Sequence, residues 1–414
     1  MGLEIDDPSL SWIDKDFLER ILSTKNSAKI SVSKFNIMRA VGKGENYGSL
    51  LLRVSIEYDG DDTKNNRTSL IIKTLPLGEM MQMLLTSLGA FPRENRVYLE
   101  TIPAMVNLMK RKLPNNTEEM FVPLAFPCER PGTLVLEDLK ERKFRMSDRR
   151  RGLDLQHILL VLRKLAKYHA ASVALQREDP SKLEGYEEAF YTDQNRAMLE
   201  QLISSSHKTL ASIIEEWEGF EKYGNKIREF TTKAIDSMVE MVKSSNSFLP
   251  VLNHGDCWVN NVMFKYNEVT GEVEDVVFVD LPLSRYASPA LDLLYFIYSS
   301  VQSHLRSAHY QRMLMEYHFV MNDTLEALGC GEKKFSMDQL EEEIRQKEAF
   351  GFGAACAVLS AVLVDPEDAV NLDSVTEEEF NSGQSNFMET ALRGRRFREE
   401  MQVLLPLFEQ KGVL

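Results

Sequence analysis

The stretch VLNHGDCWVNNVMF, Val251 to Phe264, and its sequel VEDVVFVDLPLSRY, Val273 to Tyr286, decide how the rest of the chain is read. Two apolar runs bracket a polar loop holding His254, Asp256, Asn260 and Asn261, and a second carboxylate, Asp280, ends a β-like run. Asp256 and Asn261 stand five apart. That spacing suits a carboxylate that orients a hydroxyl and an amide that offers its oxygen to a hard cation, the parts of a phosphoryl-transfer loop. Such a loop requires a nucleotide cradle earlier in the chain and an acceptor pocket around it.

Composition narrows the classes. The 414 residues are 43% hydrophobic and 27% charged, an ordinary globular balance with enough apolar material for a core of two lobes. A net charge of −14 argues against nucleic acid or an anionic membrane as partner, yet leaves room for ATP, whose phosphates need only local positive groups and metal. Cys128, Cys257, Cys330 and Cys356 are widely spaced and form no CxxC pair, so a reducing compartment is expected rather than a disulfide frame or zinc site. The acidic start MGLEIDDPSLSW carries no secretory signal, and the longest apolar stretch, Phe352 to Val364, is too short to span a bilayer. A soluble cytoplasmic protein is the expectation.

Outward from the loop, the pattern changes near residue 140. Before it, an amphipathic helix runs from about Trp12 to Leu22. Strand-like runs cover Ile30 to Val41, Ser49 to Tyr58 and Ser69 to Thr74, a helix covers Phe91 to Ile102, and a fourth strand covers Thr133 to Leu136. After it, helical periodicity dominates: Leu153 to Leu175, Arg196 to Trp217, Lys226 to Lys243, Pro289 to Ser307, Tyr310 to Leu328, Met337 to Val364 and Thr390 to Glu409. The expected division is 1–139 as a nucleotide-binding lobe and 140–414 as a lobe with the catalytic loop, metal site and acceptor pocket. The basic stretch Glu141 to Arg151 is expected to be a solvated connector.

Upstream features supply the cradle. GKGENYG, Gly42 to Gly48, lies between two strands, which excludes the strand-to-helix loops of Rossmann and Walker type and suits a glycine hairpin over phosphates. Lys73, late in the third strand, is either an outward-facing lysine or a phosphate anchor that Glu94 on the next helix would hold. Asp256 at an ordinary pKa of about 3.9 would be a weak base, so positioning should matter more than basicity. His254 is expected to brace the loop, and His169 to be a hydrogen-bonded core residue. Asp292, after Ser288-Pro289, is either a favourable charge in a first helical turn or a brace for the loop.

With those residues in view, the chain resembles the ecdysteroid kinase-like family, related to choline kinases and aminoglycoside phosphotransferases. The matching segments are GKGENYGSLLLRV, IIKTLP, FPRENRVYLETIP, LVLEDL, LAKYHAASVAL, HGDCWVNNVMFKY and FVDLPLSRYASPALDLLYF. The resemblance implies an α+β, bilobal protein-kinase-like fold and an ATP- and Mg²⁺-dependent transfer of phosphate to a hydroxyl of a small, hydrophobic, steroid-like acceptor. It implies Asp256 as catalytic aspartate, Asn261 and Asp280 as metal ligands, and Lys73 with Glu94 as the phosphate-anchoring pair. The nucleotide lid would be Gly42 to Ser49, including Gly44, Glu45 and Asn46, and the adenine-side hinge Glu137 to Leu139. One departure stands out: where the family usually places an aromatic and then Gln or Gly after the aspartate, this chain has Leu281-Pro282. Pro282 has no N–H and a fixed φ, so an alternative expectation is a weakly active or inactive nucleotide-binding module.

Overall fold

The computed structural model describes residues 8–26, 29–41, 49–61, 63–76, 78–114, 119–187, 190–365 and 386–414. Strands β1 (Ser31–Arg39), β2 (Leu50–Asp59) and β3 (Asn66–Thr74) form an antiparallel meander. Strands β4 (Ala125–Phe126) and β5 (Thr133–Glu137) complete it, in the order β1-β2-β3-β5-β4. Side chains alternate across it as strand geometry requires. Leu50, Leu52, Val54, Ile56, Leu70 and Ile72 face helix α1 (Lys15–Asn26), where Phe17, Leu18 and Ile21 bury against them. One residue along, Ile71 and Lys73 therefore face the other way, and Ile71 packs on the main core. The sheet thus sends one face to α1 and the other toward the site.

Helices α2 (Glu79–Ser87), α3 (Ala90–Arg96) and α4 (Ile102–Lys112) follow β3. The helix expected to end at Ile102 continues to Lys112, through a π turn at Val97–Thr101 in which the Ile102 N–H reaches the Val97 carbonyl. Pro103 explains the slip, because it has no N–H for the regular ladder.

The C-terminal part is built on α5 (Leu155–Glu178), buried along most of its length and capped by Asp154, whose carboxylate accepts the His157 N–H. Helices α6 (Arg196–Glu215), α7 (Lys222–Met241), α8 (Ala290–Ser300), α9 (Ser303–Ala327), α10 (Met337–Leu363), α11 (Asn386–Arg393) and α12 (Arg395–Gln410) pack around it. The fold is therefore α+β: a small antiparallel sheet toward the N-terminus and a large helical part beyond it.

Three expectations change. The basic stretch is not simply a solvated connector: Phe144–Met146 forms β6, and Arg149 is buried, donating to the Ala361 and Val362 carbonyls at the end of α10. The helix expected from Pro289 to Ser307 breaks at Val301, which leaves the helix to bridge Leu153. The last helix divides at Gly394. Among the helices lie two small sheets, β6-β8-β9 and β7-β10, formed by β7 (Val251–Asn253), β8 (Val262–Tyr266), β9 (Val273–Phe278) and β10 (Arg285–Ala287). These short ladders present the loop residues.

Candidate active site

The β8-β9 ladder pairs Val262 with Phe278, and the Val279 N–H donates to the Asn261 carbonyl at 3.0 Å. Asn261 and Asp280 thus leave the same end of one hairpin. The Asn261 amide nitrogen donates to the Asp256 carbonyl at 3.0 Å and to Asp256 Oδ2 at 2.9 Å. With its nitrogen committed there, the amide presents its oxygen in the opposite direction.

Lys73 is not an outward-facing strand lysine; it is 5% exposed. Its Nζ donates to Glu94 Oε1 at 2.9 Å, Glu94 Oε2 at 2.7 Å and Asp280 Oδ1 at 2.6 Å. Burial alone would lower its pKa, but the charges of Asp280 and Glu94 outweigh it and hold the ammonium above its usual value. Glu94, itself 1% exposed, is pushed up to about 7 by burial, with Lys73 opposing and Asp280 reinforcing the shift. Two carboxylates share one ammonium, and Asp280 is the more exposed of the two. The Leu281 N–H donates to Glu94 Oε1 at 3.1 Å, and the Asp280 N–H to the Tyr98 hydroxyl at 3.1 Å. Asp280 adopts a left-handed backbone with φ of +65°, a conformation Asp tolerates better than most residues.

The loop between β7 and β8 hangs from one carboxylate. Asp292, buried in the first turn of α8, accepts the His254 N–H at 2.6 Å and the Gly255 N–H at 2.9 Å. His169 on α5 meets it at 3.2 Å and the Tyr317 hydroxyl at 2.8 Å. Both roles open to Asp292 are present: it stands in the first turn of α8 and it braces the loop. His254 Nδ1 faces the Asp256 N–H and its Nε2 faces the Val279 carbonyl, so it carries its proton on Nε2. Burial lowers its pKa, keeping it neutral. Gly255 has φ of +86°, and a Cβ there would stand 2.0 Å from the Leu283 carbonyl oxygen. Only glycine fits.

Asp256 is less acidic than an ordinary aspartate. Burial raises its pKa to about 6, with Asp280 adding to the rise while the Tyr295, Asn261 and Trp258 side chains oppose it. The Tyr295 hydroxyl donates to Asp256 Oδ1. As a residue Asp256 nonetheless keeps partial exposure. Tyr295 lies three residues after Asp292 on α8, a helical neighbour on the same face; that spacing was the available signal for it.

Other candidate residues distribute unevenly. Gly42, Gly44, Glu45 and Asn46 lie outside the described residues. Ser49 stands at the entry to β2, just beyond the point where the Ala40 N–H reaches the Leu51 carbonyl at 2.9 Å. Glu137 ends β5 and accepts the Leu124 N–H at 2.8 Å, while Leu139 is buried with Phe144 and Val277. Between them Asp138 is held by Arg53 at 2.5 Å and the Ser69 hydroxyl at 2.9 Å. Pro282 takes the second position of a turn closed by the Ser284 N–H on the Leu281 carbonyl at 3.3 Å. That position favours proline and asks no N–H of it.

Among the described residues, no group of three or more His, Cys, Asp or Glu side chains could hold a metal ion. The Asn261 and Asp280 pair is a different kind of set: two oxygen donors at one hairpin end. It fits Mg²⁺, which keeps several waters and substrate phosphates rather than an all-protein cage.

The sequence profile of the ecdysteroid kinase-like family matches residues 43–330, more than half of the chain. The chain belongs to the ecdysteroid kinase-like family. By class it is a small-molecule kinase with a hydroxyl acceptor. No curated protein matches the sequence. Among solved structures, an ethanolamine kinase from Plasmodium vivax is similar at 14% identity and a TM-score of 0.43, covering 91% of this chain and 84% of that one. A GDP complex of an aminoglycoside 2′-phosphotransferase variant is similar at 12% identity and a TM-score of 0.42, covering 96% of this chain and 100% of that one. An aminoglycoside phosphotransferase from Alicyclobacillus acidocaldarius is similar at 12% identity and a TM-score of 0.38, covering 87% and 91%.

Proposed function

We propose that this ecdysteroid kinase-like protein transfers the γ-phosphate of ATP to a hydroxyl of a hydrophobic small molecule, an ecdysteroid or a related steroid-like alcohol. The observation that carries the reading is the convergence of Lys73, Glu94 and Asp280 with the Asp256–Asn261 pair around one hairpin end. The nucleotide would lie between residues 1–139 and 140–414, under the glycine hairpin Gly42 to Ser49 and beside the hinge Glu137 to Leu139.

Each side chain has a part in that chemistry. Lys73, fixed by Glu94, holds the phosphates. Asp256 orients the acceptor hydroxyl and takes its proton as the new O–P bond forms and the bond to ADP breaks. Its pKa of about 6 leaves it mostly ionised at neutral pH yet more basic than an ordinary aspartate, which improves its match to the proton transfer. Tyr295 and Asn261 keep its two oxygens aimed. Asn261 and Asp280 would hold Mg²⁺, which when bound neutralises charge on the β- and γ-phosphates.

An apolar cluster supports the acceptor class. Met238, Met241 and Val242 from the α7 end, Leu291 from α8 and Phe350 from α10 gather with Tyr191 and Tyr295 beside Asp256. A cavity of about 320 Å³ adjoins Tyr191, but its lining is largely polar, with Glu187, Asp193, Lys243 and Ser244 beside Val239 and Val242, so the apolar cluster and not this cavity supports the acceptor class. No described helix is long and apolar enough to cross a membrane, and all four cysteines are free. The cysteines and the need for ATP fit the cytoplasm.

The inactive-module alternative rested on Pro282; a turn that suits proline there favours the active reading, and turnover decides between them. The test is untargeted: incubate the protein with Mg·ATP and a metabolite extract and search for species gaining one phosphate. A hydrophobic alcohol that gains it supports the reading; phosphate only on proteins, or nowhere, ends it.

A further inference from the structure

Arg285, on β10 opposite Asn253, is 2% exposed. Its guanidinium carbon lies 5.2 Å from the Tyr191 ring centre and 6.0 Å from that of Phe350. Its Nε and Nη1 are buried and carry no hydrogen bond among the described residues. No carboxylate pairs with it among the described residues. Other buried arginines differ in degree: Arg306 leaves Nη1 unmet but donates to Glu400 and two carbonyls, and Arg149 donates to the end of α10. A guanidinium cannot shed its proton in a protein, and a buried cation without a partner is costly. Ring faces recover part of that cost but leave the in-plane N–H groups unmet.

The surroundings say what would meet them. Tyr191 and Phe350 pack edge to face at 5.8 Å, and Tyr295, whose hydroxyl holds Asp256, lies 6.5 Å from Phe350. Tyr191, Tyr295 and Asp256 are each partly exposed, and the Tyr295 hydroxyl joins the aromatic group to the Asp256 carboxylate. Arg285 faces Tyr191 and Tyr295, with Asp256 and Asp292 the charged groups near it. Asp292 is already engaged by His254, Gly255 and His169. Asp256 is engaged by Tyr295 and Asn261. Neither is left to satisfy the guanidinium.

We propose that Arg285 is the specificity-determining residue of the acceptor site, and that it selects hydroxylated apolar molecules presenting a carbonyl or carboxylate oxygen to its free N–H groups. The inference rests on the kinase reading and deepens it. The flat apolar body lies against the partly exposed Tyr191 and Tyr295, the oxygen is received by Arg285, and the hydroxyl to be phosphorylated is brought to Asp256. Arg285 is a binding and orienting group, with no part in proton transfer.

The test compares wild type with Arg285→Met and Arg285→Lys on three acceptors: a hydroxysteroid with a ring ketone, the same compound with the ketone reduced, and a hydroxylated bile acid. A hydrogen bond to a charged donor corresponds to about 10- to 100-fold in selectivity. In Arg285→Met, the kcat/KM ratio of ketone or bile acid over the reduced compound should fall by that factor. The KM for the acceptor should carry the loss and the KM for ATP should not. Preference for the bile acid over the ketone identifies a carboxylate as the natural group, and the reverse a carbonyl. Thermal melting separates a structural role, since a residue present only to stack should lower Tm when removed, whereas an unpaired buried charge should not. An unchanged selectivity ratio, a clear drop in Tm with no change in ratio, or transfer only to alcohols lacking both groups overturns the inference and leaves the kinase reading standing. Phosphate on no alcohol at all contradicts the kinase reading instead.

Discussion

Nζ of Lys73 lies 2.6 Å from Oδ1 of Asp280, bridging two residues 207 positions apart in the chain. Glu94 holds the same ammonium from the other side. This contact ties the sheet to the β8-β9 hairpin end, so its loss should be felt in both stability and catalysis.

Lys73→Met leaves the buried Glu94 carboxylate without its cation. Breaking a buried pair in this way typically costs about 3–5 kcal/mol. Urea unfolding should show that loss, and Lys73→Met with Glu94→Leu should be more stable than Lys73→Met alone. Equal stability of the single and double variants would mean that the pair is not coupled.

The rate should depend on pH through Asp256. Its folded pKa is raised to about 6 by burial, and only the ionised form accepts the hydroxyl proton. The rate should therefore fall as pH drops through about 6. A profile flat down to pH 5 would exclude Asp256 as the titrating base.

Tyr295→Phe sharpens that assignment. The Tyr295 hydroxyl opposes the rise in the Asp256 pKa, so removing it should move the acidic limb to higher pH. At pH 6.5 the variant should lose more activity than at pH 8. A limb that stays fixed would show that the hydroxyl does not act on the base.

Gly255→Ala places a Cβ against the Leu283 carbonyl at a φ of +86°. The left-handed backbone alone costs about 1–2 kcal/mol, and the contact adds to it. Thermal melting should show a loss of at least about 2 kcal/mol; an unaffected Tm would mean that the loop relaxes freely.

Much of this was legible in the chain. The alternation of Leu50, Leu52, Val54 and Ile56 gave the sheet its face, and the order Lys73, Glu94, Asp256, Asn261, Asp280 gave the cleft its set. What stayed hidden depended on three-dimensional closure. The direction Lys73 faces follows from strand register, but its burial needs the packing of α3 and the β9 end above it. The raised pKa of Asp256 follows from the enclosure around it, which no spacing reports. Tyr295 offered only its spacing from Asp292, and Arg285 carries no local signal; its proposed role rests on the absence, among the described residues, of a carboxylate paired with it. Phe144–Met146 is too short for its alternation to show, so β6 escaped notice in a basic stretch.

The most direct measurement is Mg·ATP-dependent phosphate transfer to a hydroxysteroid by wild type and Asp256→Asn, with ATP binding measured in parallel. Removing a positioned base typically costs about 10²–10⁴ in rate. The expected result is a loss of that order in Asp256→Asn with ATP affinity retained. Wild-type protein that binds Mg·ATP yet never exceeds Asp256→Asn on any hydroxylated acceptor would contradict the account.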